Sequence, residues 1–326
     1  MNKVILLTAS YKGKPLEIVK SLVPEGFSLV SLDTNSHEEL VEKARTADYI
    51  LASGNLKIDA DVLEGAKNLR MIQRLGVGLD ALDFQVLDKC GIPVYVNKGV
   101  NANSVAEHTL MFILILLRKL IPINETTKSG VWKKQEQGVE THELAEQTVG
   151  IIGMGNIGKR VANLLSGFGC RSIYYSGHPL KKDEEDALRI AYRPLEQLFE
   201  QADVITLHCP LTDETRNLIN KDNIAKMKKG VLLVNTSRGG LIQESDLLEA
   251  LDSQHVGAAA LDVYQNEPAV NSALLRHNNV ICTPHIAGNT YDSFRKMMDM
   301  ALRNILLFDQ GELDAVENCR VQKIVS

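Results

Sequence analysis

A glycine-rich turn between an apolar run and an amphipathic run limits the folds open to this chain. Val149–Ile152 is strand-like, and glycines at 153, 155 and 158 follow it in the pattern GxGxxG before a predicted helix over Asn156–Leu165. In that context Gly153 permits a tight turn, Gly155 lets a pyrophosphate approach the backbone, and Gly158 lets the helix pack on the strand. The helix N-terminus offers N–H groups to an anion. The pattern predicts a dinucleotide site, against the alternative of an ordinary turn.

Short apolar runs alternate with amphipathic stretches on both sides of this turn. Before it, the predicted strands are Val4–Leu7, Ser28–Leu32, Tyr49–Leu51, Met71–Ile72 and Val94–Val96, and the predicted helices are Pro15–Leu22, Glu38–Arg45, Ala60–Ala66 and Asp83–Lys89. From Thr148 onward the predicted strands are Val149–Ile152, Ser172–Tyr175, Val204–Leu207, Val231–Val234, Ala258–Leu261 and Val280–Cys282. Such alternation predicts parallel sheets with crossover helices. Since 326 residues exceed one ordinary core, we expect two domains.

Two further helices are expected outside these series. One runs from Asn101 to about Ile121, with Asn103 or Ser104 as its N-cap, and the other covers Ser293–Phe308. The second helix follows the last strand, and we expect it to pack against the first domain. Between Asn124 and Gln147 the chain is polar and is predicted to be irregular. Its single tryptophan, Trp132, is either an interface anchor or a local packing residue.

Composition excludes several classes of function. The net charge is −5, with a pI near 5.9, which argues against a nucleic-acid partner. The five cysteines are scattered without a CxxC pair, so we expect reduced thiols and no metal site. The N-terminus lacks a signal-peptide pattern, and the most apolar stretch, Leu110–Leu117, is too short to span a bilayer. We therefore expect a cytoplasmic protein with no membrane partner.

The strand after the glycine turn bears on which nicotinamide cofactor is bound. An acid at its end usually hydrogen-bonds the adenosine ribose, but this strand ends in Ser176. No carboxylate stands there to repel a 2′-phosphate, and His178, Lys181 and Lys182 follow with basic side chains. The pattern favours NADP, or at least a relaxed specificity between NADP and NAD. The alternative is an NAD enzyme that simply lacks the acid.

Three later strands each end just before a reactive side chain: Arg238, Glu267 and His285. Ligands of open α/β sheets bind at these carboxyl ends. A guanidinium presents a planar fork to a carboxylate, an imidazole can donate a proton, and a carboxylate can orient the imidazole and raise its pKa. Taken singly, each side chain has an ordinary surface or packing alternative. Together with a dinucleotide turn, they predict hydride chemistry on a carboxylated substrate.

With these motifs the chain resembles the D-isomer-specific 2-hydroxyacid dehydrogenase family. The similar segments, in family order, are Arg74–Asp80, Asn101–His108, the glycine turn, Asn235–Gly240, Leu261–Pro268 and Thr283–Gly288. The resemblance implies that Arg238 binds the substrate carboxylate or carbonyl and that Glu267 and His285 form the acid/base pair. It implies substrate contacts from the backbone at Gly76, Val77 and Gly78. It also implies cofactor contacts from Asn156, Ile157, Thr236 and Asp262, the last meeting the nicotinamide carboxamide.

The resemblance also implies an α/β architecture of two Rossmann-like domains. Residues 100–289 would form a doubly wound parallel-sheet cofactor domain, inserted in a smaller flavodoxin-like substrate domain made of residues 1–99 and 290–326. The active site would lie in the cleft between them. The helix near Asn101–Ile121 and the Trp132 loop would form a homodimer contact.

The expected reaction is reduction of a small 2-keto acid such as glyoxylate, hydroxypyruvate or pyruvate to its D-2-hydroxy acid. An alternative within the family is 3-phosphoglycerate oxidation in serine synthesis, but Ala52–Lys57 lacks the arginine that such relatives present to the phosphate. Formate oxidation is disfavoured because that branch has glutamine where Glu267 stands. From another class, a dinucleotide-sensing transcriptional co-regulator remains an alternative, and the absence of extended flanking tails argues against it.

Overall fold

The chain divides into two compact units in a computed structural model that describes residues 2–54, 56–76, 78–79 and 81–321. The first unit combines the chain up to Asn101 with the segment from Tyr291 onward, and the second is Ala102–Thr290. These limits fall one or two residues from the domain boundaries expected from the sequence.

The first unit is built on a parallel sheet with helices between its strands. Its elements are β1 Lys3–Leu7, α1 Lys14–Leu22, β2 Phe27–Ser31, α2 His37–Ala44, β3 Tyr49–Ala52, α3 Ala60–Gly65, β4 Met71–Arg74, α4 Phe84–Cys90 and β5 Val94–Val96. Among the described residues the strand order is β2-β1-β3-β4-β5, the order of flavodoxin-like sheets. Every strand predicted before residue 100 overlaps one of these, with β4 two residues longer than expected.

The long helix α13, Tyr291–Gln310, belongs to this first unit and is followed by the short α14, Leu313–Val316. Its inner face buries Met298, Ala301, Leu302 and Ile305 in the same core as the strands. Near its end, Asp309 accepts hydrogen bonds from Lys3 Nζ at 2.5 Å and from the Tyr49 hydroxyl at 2.6 Å. The end of the helix is therefore tied to the first strand of the chain.

The second unit is a larger doubly wound sheet. Its elements are α5 Ala102–Leu117, α6 Leu120–Lys128, α7 Lys134–Gly138, β6 Thr148–Ile152, α8 Asn156–Ser166, β7 Arg171–Tyr175, α9 Lys182–Leu188, β8 Ile190–Tyr192, α10 Leu195–Gln201, β9 Val204–Leu207, α11 Lys221–Ile224, β10 Val231–Asn235, α12 Glu244–Asp252, β11 Val256–Leu261 and β12 Val280–Cys282. The described strands follow the order β12-β11-β10-β9-β6-β7-β8, all parallel. Strands β7 and β8 are added on one side of β6, and β9 to β12 are added on the other side. Dinucleotides bind in such sheets at this switch point between β6 and β9. The predicted fold class, two Rossmann-like α/β domains, is confirmed.

Two expectations for residues 101–147 are wrong. Helix α5 begins at Ala102, so Asn103 and Ser104 lie inside its first turn and do not cap it, and it ends at Leu117. Lys119 then adopts a left-handed conformation, with φ of 46°, which stops one helix and allows α6 to begin. The segment predicted to be irregular contains most of α6 and all of α7. Trp132 is 81% exposed, which rules out the packing alternative for its indole.

Within the described ranges, no helix is both long and apolar enough to cross a membrane. No group of three or more His, Cys, Asp or Glu side chains suited to a metal ion occurs in that part of the chain.

Candidate active site

The three glycines of the turn between β6 and α8 differ in how much space surrounds them. Gly153 has φ of 100°, and a Cβ there would lie 2.4 Å from the backbone nitrogen of Cys209. A Cβ at Gly158 would lie 2.1 Å from the Gly153 carbonyl oxygen. At Gly155, by contrast, a Cβ would meet nothing within 4 Å. Two glycines therefore serve close packing, and the middle one leaves its backbone open to a ligand.

The start of α8 completes an anion-binding arrangement. Gly155 is the N-cap, and no side chain caps the first turn. Gly155 and Asn156 are exposed, and Ile157 is half-buried. The turn and the first N–H groups of the helix thus fit the pyrophosphate of a dinucleotide.

The edge expected to receive the adenosine ribose lies at the end of β7. Ser176 is half-buried, and its Oγ accepts a 3.4 Å hydrogen bond from the backbone nitrogen of His178, whose side chain is exposed. Lys182 points elsewhere, because its Nζ pairs with Asp186 at 2.9 Å and with Glu185 at 3.5 Å. Arg193, which sequence reasoning missed, directly follows β8. Its backbone nitrogen donates to the Tyr174 carbonyl at 2.8 Å, and its Nη1 donates to the Tyr192 carbonyl at 2.6 Å. The edge therefore carries a serine, a histidine and an arginine.

Arg238 stands in a tight turn after β10. Asn235 holds that turn, since its Nδ2 donates to the Arg238 carbonyl at 2.9 Å and its Oδ1 accepts from the Ser237 backbone nitrogen at 3.0 Å. The next residue must be glycine, because a Cβ at Gly239 would lie 1.9 Å from the Tyr264 carbonyl carbon. This close approach packs the arginine turn against the loop that carries Glu267.

His285 and Glu267 form a direct pair. The Nδ1 atom of His285 lies 2.7 Å from Oε2 of Glu267, and the other carboxylate oxygen of Glu267 accepts from the Tyr264 backbone nitrogen at 3.2 Å. The His285 side chain is 48% exposed and that of Glu267 is 22% exposed. Among the residues the structure describes, Nε2 of His285 has no hydrogen-bond partner. The pair thus presents one ring nitrogen to solvent or to a substrate.

Arg238, Glu267 and His285 influence one another electrostatically. The hydrogen bond from its ring to Glu267 raises the pKa of His285, burial opposes this, and the charges of Glu267 and Asp262 add to the rise. Burial alone would raise the pKa of Glu267, but its hydrogen bond and attraction to His285, aided by Tyr264 and Arg238, lower that pKa overall. The positive charge of Arg238 lowers the pKa of both partners. Arg238 is therefore close enough to act on the pair.

Asp262 and Thr236 lie behind this pair. Asp262 is 1% exposed, and its carboxylate accepts hydrogen bonds from the Thr283 hydroxyl at 2.5 Å and from the backbone nitrogens of Ile286 and Ala287, each at 2.8 Å. The Thr236 hydroxyl is buried and lies 2.9 Å from that of Thr109. Asp262 thus holds the loop after β12, and Thr236 joins the arginine turn to helix α5, roles the sequence did not indicate.

The residues predicted to bind substrate through their backbone lie in the first unit. Gly76 and Gly78 follow β4 and are half-buried, and Val77 lies outside the described residues. Arg74 fixes this loop, since its Nε donates to the Gly78 carbonyl at 2.8 Å and its Nη1 donates to the Gly54 carbonyl at 2.7 Å. One guanidinium thus connects the loops that follow β3 and β4.

These features define a class of protein: a doubly wound dinucleotide-binding unit with an arginine and a histidine–glutamate pair at its strand ends. Residues 110–287 match the model of the D-isomer specific 2-hydroxyacid dehydrogenase NAD-binding domain. The chain is 39% identical over 263 residues to a hydroxypyruvate reductase from Thermotoga maritima, covering 80% of this chain and 84% of that protein. It is 37% identical over 283 residues to a glyoxylate reductase from Aeropyrum pernix, covering 85% and 84% respectively.

Solved structures agree with these relatives. A D-lactate dehydrogenase from Treponema pallidum superposes with a TM-score of 0.83 at 25% identity, covering 98% of this chain and all of that one. The chain belongs to the D-isomer-specific 2-hydroxyacid dehydrogenase family. It is an oxidoreductase that transfers a hydride between a nicotinamide cofactor and a small 2-keto or 2-hydroxy acid, and the function predicted from the sequence is confirmed at this level.

Proposed function

We propose that this enzyme reduces a short, unphosphorylated 2-keto acid of the glyoxylate, hydroxypyruvate or pyruvate type, with His285 as the proton donor. The observation that carries the proposal is the 2.7 Å contact between His285 Nδ1 and Glu267 Oε2 beside the charge of Arg238. A histidine held in this way has one ring nitrogen bound and the other available for proton transfer.

The chemistry assigns a separate task to each side chain. The guanidinium of Arg238 binds the substrate carboxylate or the polarised carbonyl oxygen, and its fork sets the orientation of the keto group. His285 donates the proton from Nε2 to the carbonyl oxygen, while the Glu267 carboxylate stabilises the ring in its protonated form. A nicotinamide cofactor held at the glycine turn would supply the hydride for the keto carbon, so that the C=O group becomes a CH–OH group. In the reverse direction His285 accepts the hydroxyl proton.

The preference for a small substrate without a phosphate rests on the first unit and on the relatives. The loop from Ala52 to Lys57 offers only Lys57 as a basic side chain, a weak partner for a phosphate. The T. maritima and A. pernix proteins are named for hydroxypyruvate and glyoxylate. In this proposal the first unit, with the Gly76 to Gly78 loop, binds substrate, and the second binds the cofactor.

For the cofactor we propose a preference for NADPH over NADH. Ser176 places no carboxylate where it would repel a 2′-phosphate, and the exposed side chain of His178 follows it. Arg193 follows the neighbouring strand β8, although its Nη1 already donates to the Tyr192 carbonyl at 2.6 Å. Asn156, Ile157, Thr236 and Asp262 stay assigned to cofactor contacts, although the three hydrogen bonds that Asp262 already accepts limit what it can offer the carboxamide.

A homodimer is proposed from the surface of α5 to α7. Trp132 and Val139 are each 81% exposed, and Leu120 is 52% exposed. Beside them lies a groove of about 530 Å³ whose lining includes Leu114, Ile123 and Trp132. Exposed apolar residues clustered in this way mark an interaction site, and a second copy of the chain is the partner we propose. The five free cysteines favour a reducing compartment, the cytoplasm.

The central test replaces His285 with alanine and measures NADPH and NADH oxidation with glyoxylate, hydroxypyruvate, pyruvate and 3-phosphohydroxypyruvate. Loss of a general acid lowers turnover by about 10²–10⁴, with cofactor affinity nearly unchanged. Near-normal turnover in the variant would remove the role assigned to His285. Efficient use of the phosphorylated substrate would favour the serine-synthesis alternative, and no turnover of any keto acid by the wild-type protein would favour the co-regulator.

A further inference from the structure

A second histidine, His108, lies on helix α5 behind the proposed acid. Its Nε2 is 3.2 Å from the Thr283 hydroxyl oxygen, and its ring packs edge-on against Phe112 with 4.4 Å between ring centroids. Its side chain is half-buried. The role proposed for the active site leaves His108 without a task.

The direction of the hydrogen bonds follows from the chemistry of the groups. The Thr283 hydroxyl has one proton, and it donates that proton to Oδ1 of Asp262, since an ionised carboxylate can only accept. Thr283 must therefore accept from His108, which fixes the ring proton on Nε2. Burial lowers the pKa of His108, partly opposed by the charge of Asp262, so the neutral ring is favoured. The three side chains therefore form a hydrogen-bond chain with one direction: His108 donates to Thr283, and Thr283 donates to Asp262.

This hydrogen-bond chain ends at Asp262, which contacts the loop that carries His285. Asp262 binds the backbone nitrogens of Ile286 and Ala287, and its own carbonyl accepts from the His285 backbone nitrogen at 2.8 Å. His285 has φ of 56°, a conformation that a non-glycine residue keeps only when its surroundings impose it. The hydrogen bonds to Asp262 on both sides of His285 supply that constraint.

We propose that His108 is a positioning residue for His285, acting through Thr283 and Asp262. Its Nε2–H donor orients the Thr283 hydroxyl, which in turn holds the Asp262 carboxylate where it meets the loop amides. The imidazole of His285 then stays aligned for proton transfer. This inference rests on the proposed role of His285 and gives a task to His108, the last residue of the segment Asn101–His108, to which no role in the site was assigned.

The experiment compares His108→Leu, which removes the donor, with His108→Gln, whose amide nitrogen can reach a similar position. Thr283→Val tests the next link with little change of shape. Each variant is assayed in the full-length enzyme for kcat and KM of the keto acid, cofactor Kd and melting temperature. Misplacement of a catalytic group by about 1 Å can lower the rate about 10²-fold. We expect kcat to fall roughly 10- to 100-fold in His108→Leu and in Thr283→Val, a larger change than in cofactor Kd, with most of kcat restored by glutamine.

A packing control separates positioning from stability. Phe112→Leu loosens the contact with the His108 ring but leaves every hydrogen bond of the chain in place. It should lower the melting temperature while keeping kcat near the wild-type value. The double variant His108→Leu/Thr283→Val should be no slower than either single one, because both break the same chain.

Three outcomes would overturn the inference: unchanged kcat in His108→Leu, no recovery with glutamine, or an equal loss of kcat in Phe112→Leu. None of these affects the assignment of His285, which is measured separately through His285→Ala. If His285→Ala itself kept full turnover, the proposed function would fail whatever the His108 variants showed.

Discussion

Replacing Gly155 or Gly158 of the cofactor turn with alanine should have opposite effects on cofactor affinity and on stability. Gly155 has φ of −80° and ψ of −162°, a backbone conformation that alanine adopts, and its Cβ would enter open space. Gly155→Ala removes conformational freedom from the unfolded chain, which stabilises by about 0.4–1 kcal/mol. Alanine is a poorer N-cap than glycine, by roughly the same amount. The free energy of unfolding should therefore change little in the protein without cofactor.

Cofactor binding should suffer strongly from the same change. The new methyl group occupies the space through which a pyrophosphate reaches the backbone, and one lost charge-assisted hydrogen bond is worth about 1.5–3 kcal/mol. That corresponds to a Kd raised roughly 10- to 150-fold. Titration of NADPH and NADH by their fluorescence measures this change directly.

Gly158→Ala is the matched control with the opposite outcome. Its Cβ would lie 2.1 Å from the Gly153 carbonyl oxygen, so the helix must move off the strand. Overpacking of this kind costs about 1–3 kcal/mol, or roughly 2–12 °C in melting temperature for a unit of this size. Scanning calorimetry of the protein without cofactor compares the two variants. Unchanged cofactor affinity in Gly155→Ala, or equal loss of stability in both variants, would refute this account of the turn.

Other expectations concern the pair, the arginine and the surface groove. Because the proposed reduction needs protonated His285, kcat/KM should hold at low pH and fall as the pH rises through the raised pKa of His285. In Glu267→Gln the fall should begin at lower pH. A pH profile that does not move would contradict the pairing of the two residues. Arg238→Lys loses the planar fork and should lower kcat/KM for the keto acid about 10- to 100-fold, whereas an equal value would exclude a bidentate contact. Trp132→Asp should halve the mass measured by light scattering, with secondary structure unchanged by circular dichroism; an unchanged mass would locate the interface elsewhere.

Much of this architecture could be predicted because parallel strands are buried on both faces and so appear as continuous apolar runs. Strand β9, Val204–Leu207, is buried along its whole length and was predicted with its observed limits. The three-residue strand β8 was missed, since Ile190–Tyr192 is too short to show a pattern. Helix α6 was missed because its few apolar residues are at its start and none of them is buried, and α7 because its five residues include no apolar side chain.

The candidate site was predictable where a topological rule applied. Arg238, Glu267 and His285 follow strand ends, and the carboxyl ends of parallel strands share one edge. The hydrogen bonds behind them were not predictable. Nothing in the sequence pairs His108 with Thr283 across 175 positions, or shows that the Asp262 carboxylate faces loop amides. Arg193 carried no motif, and only the pairing of β8 with β7 shows that it follows the strand next to the one that precedes Ser176.

The route of the chain through its first unit has a consequence during synthesis. Strands β1 to β5 leave the ribosome early, but the helix that covers Ile5, Tyr49 and Met71 is made only after Ala102–Thr290 has been translated. At about 5–20 residues per second, that interval lasts roughly 10–40 s. During this time the nascent sheet keeps an apolar face uncovered, and at its end the inserted unit has all of its described strands while the sheet still lacks its helix. The later part of the polypeptide should thus reach its native state first, and the earlier part must wait for α13.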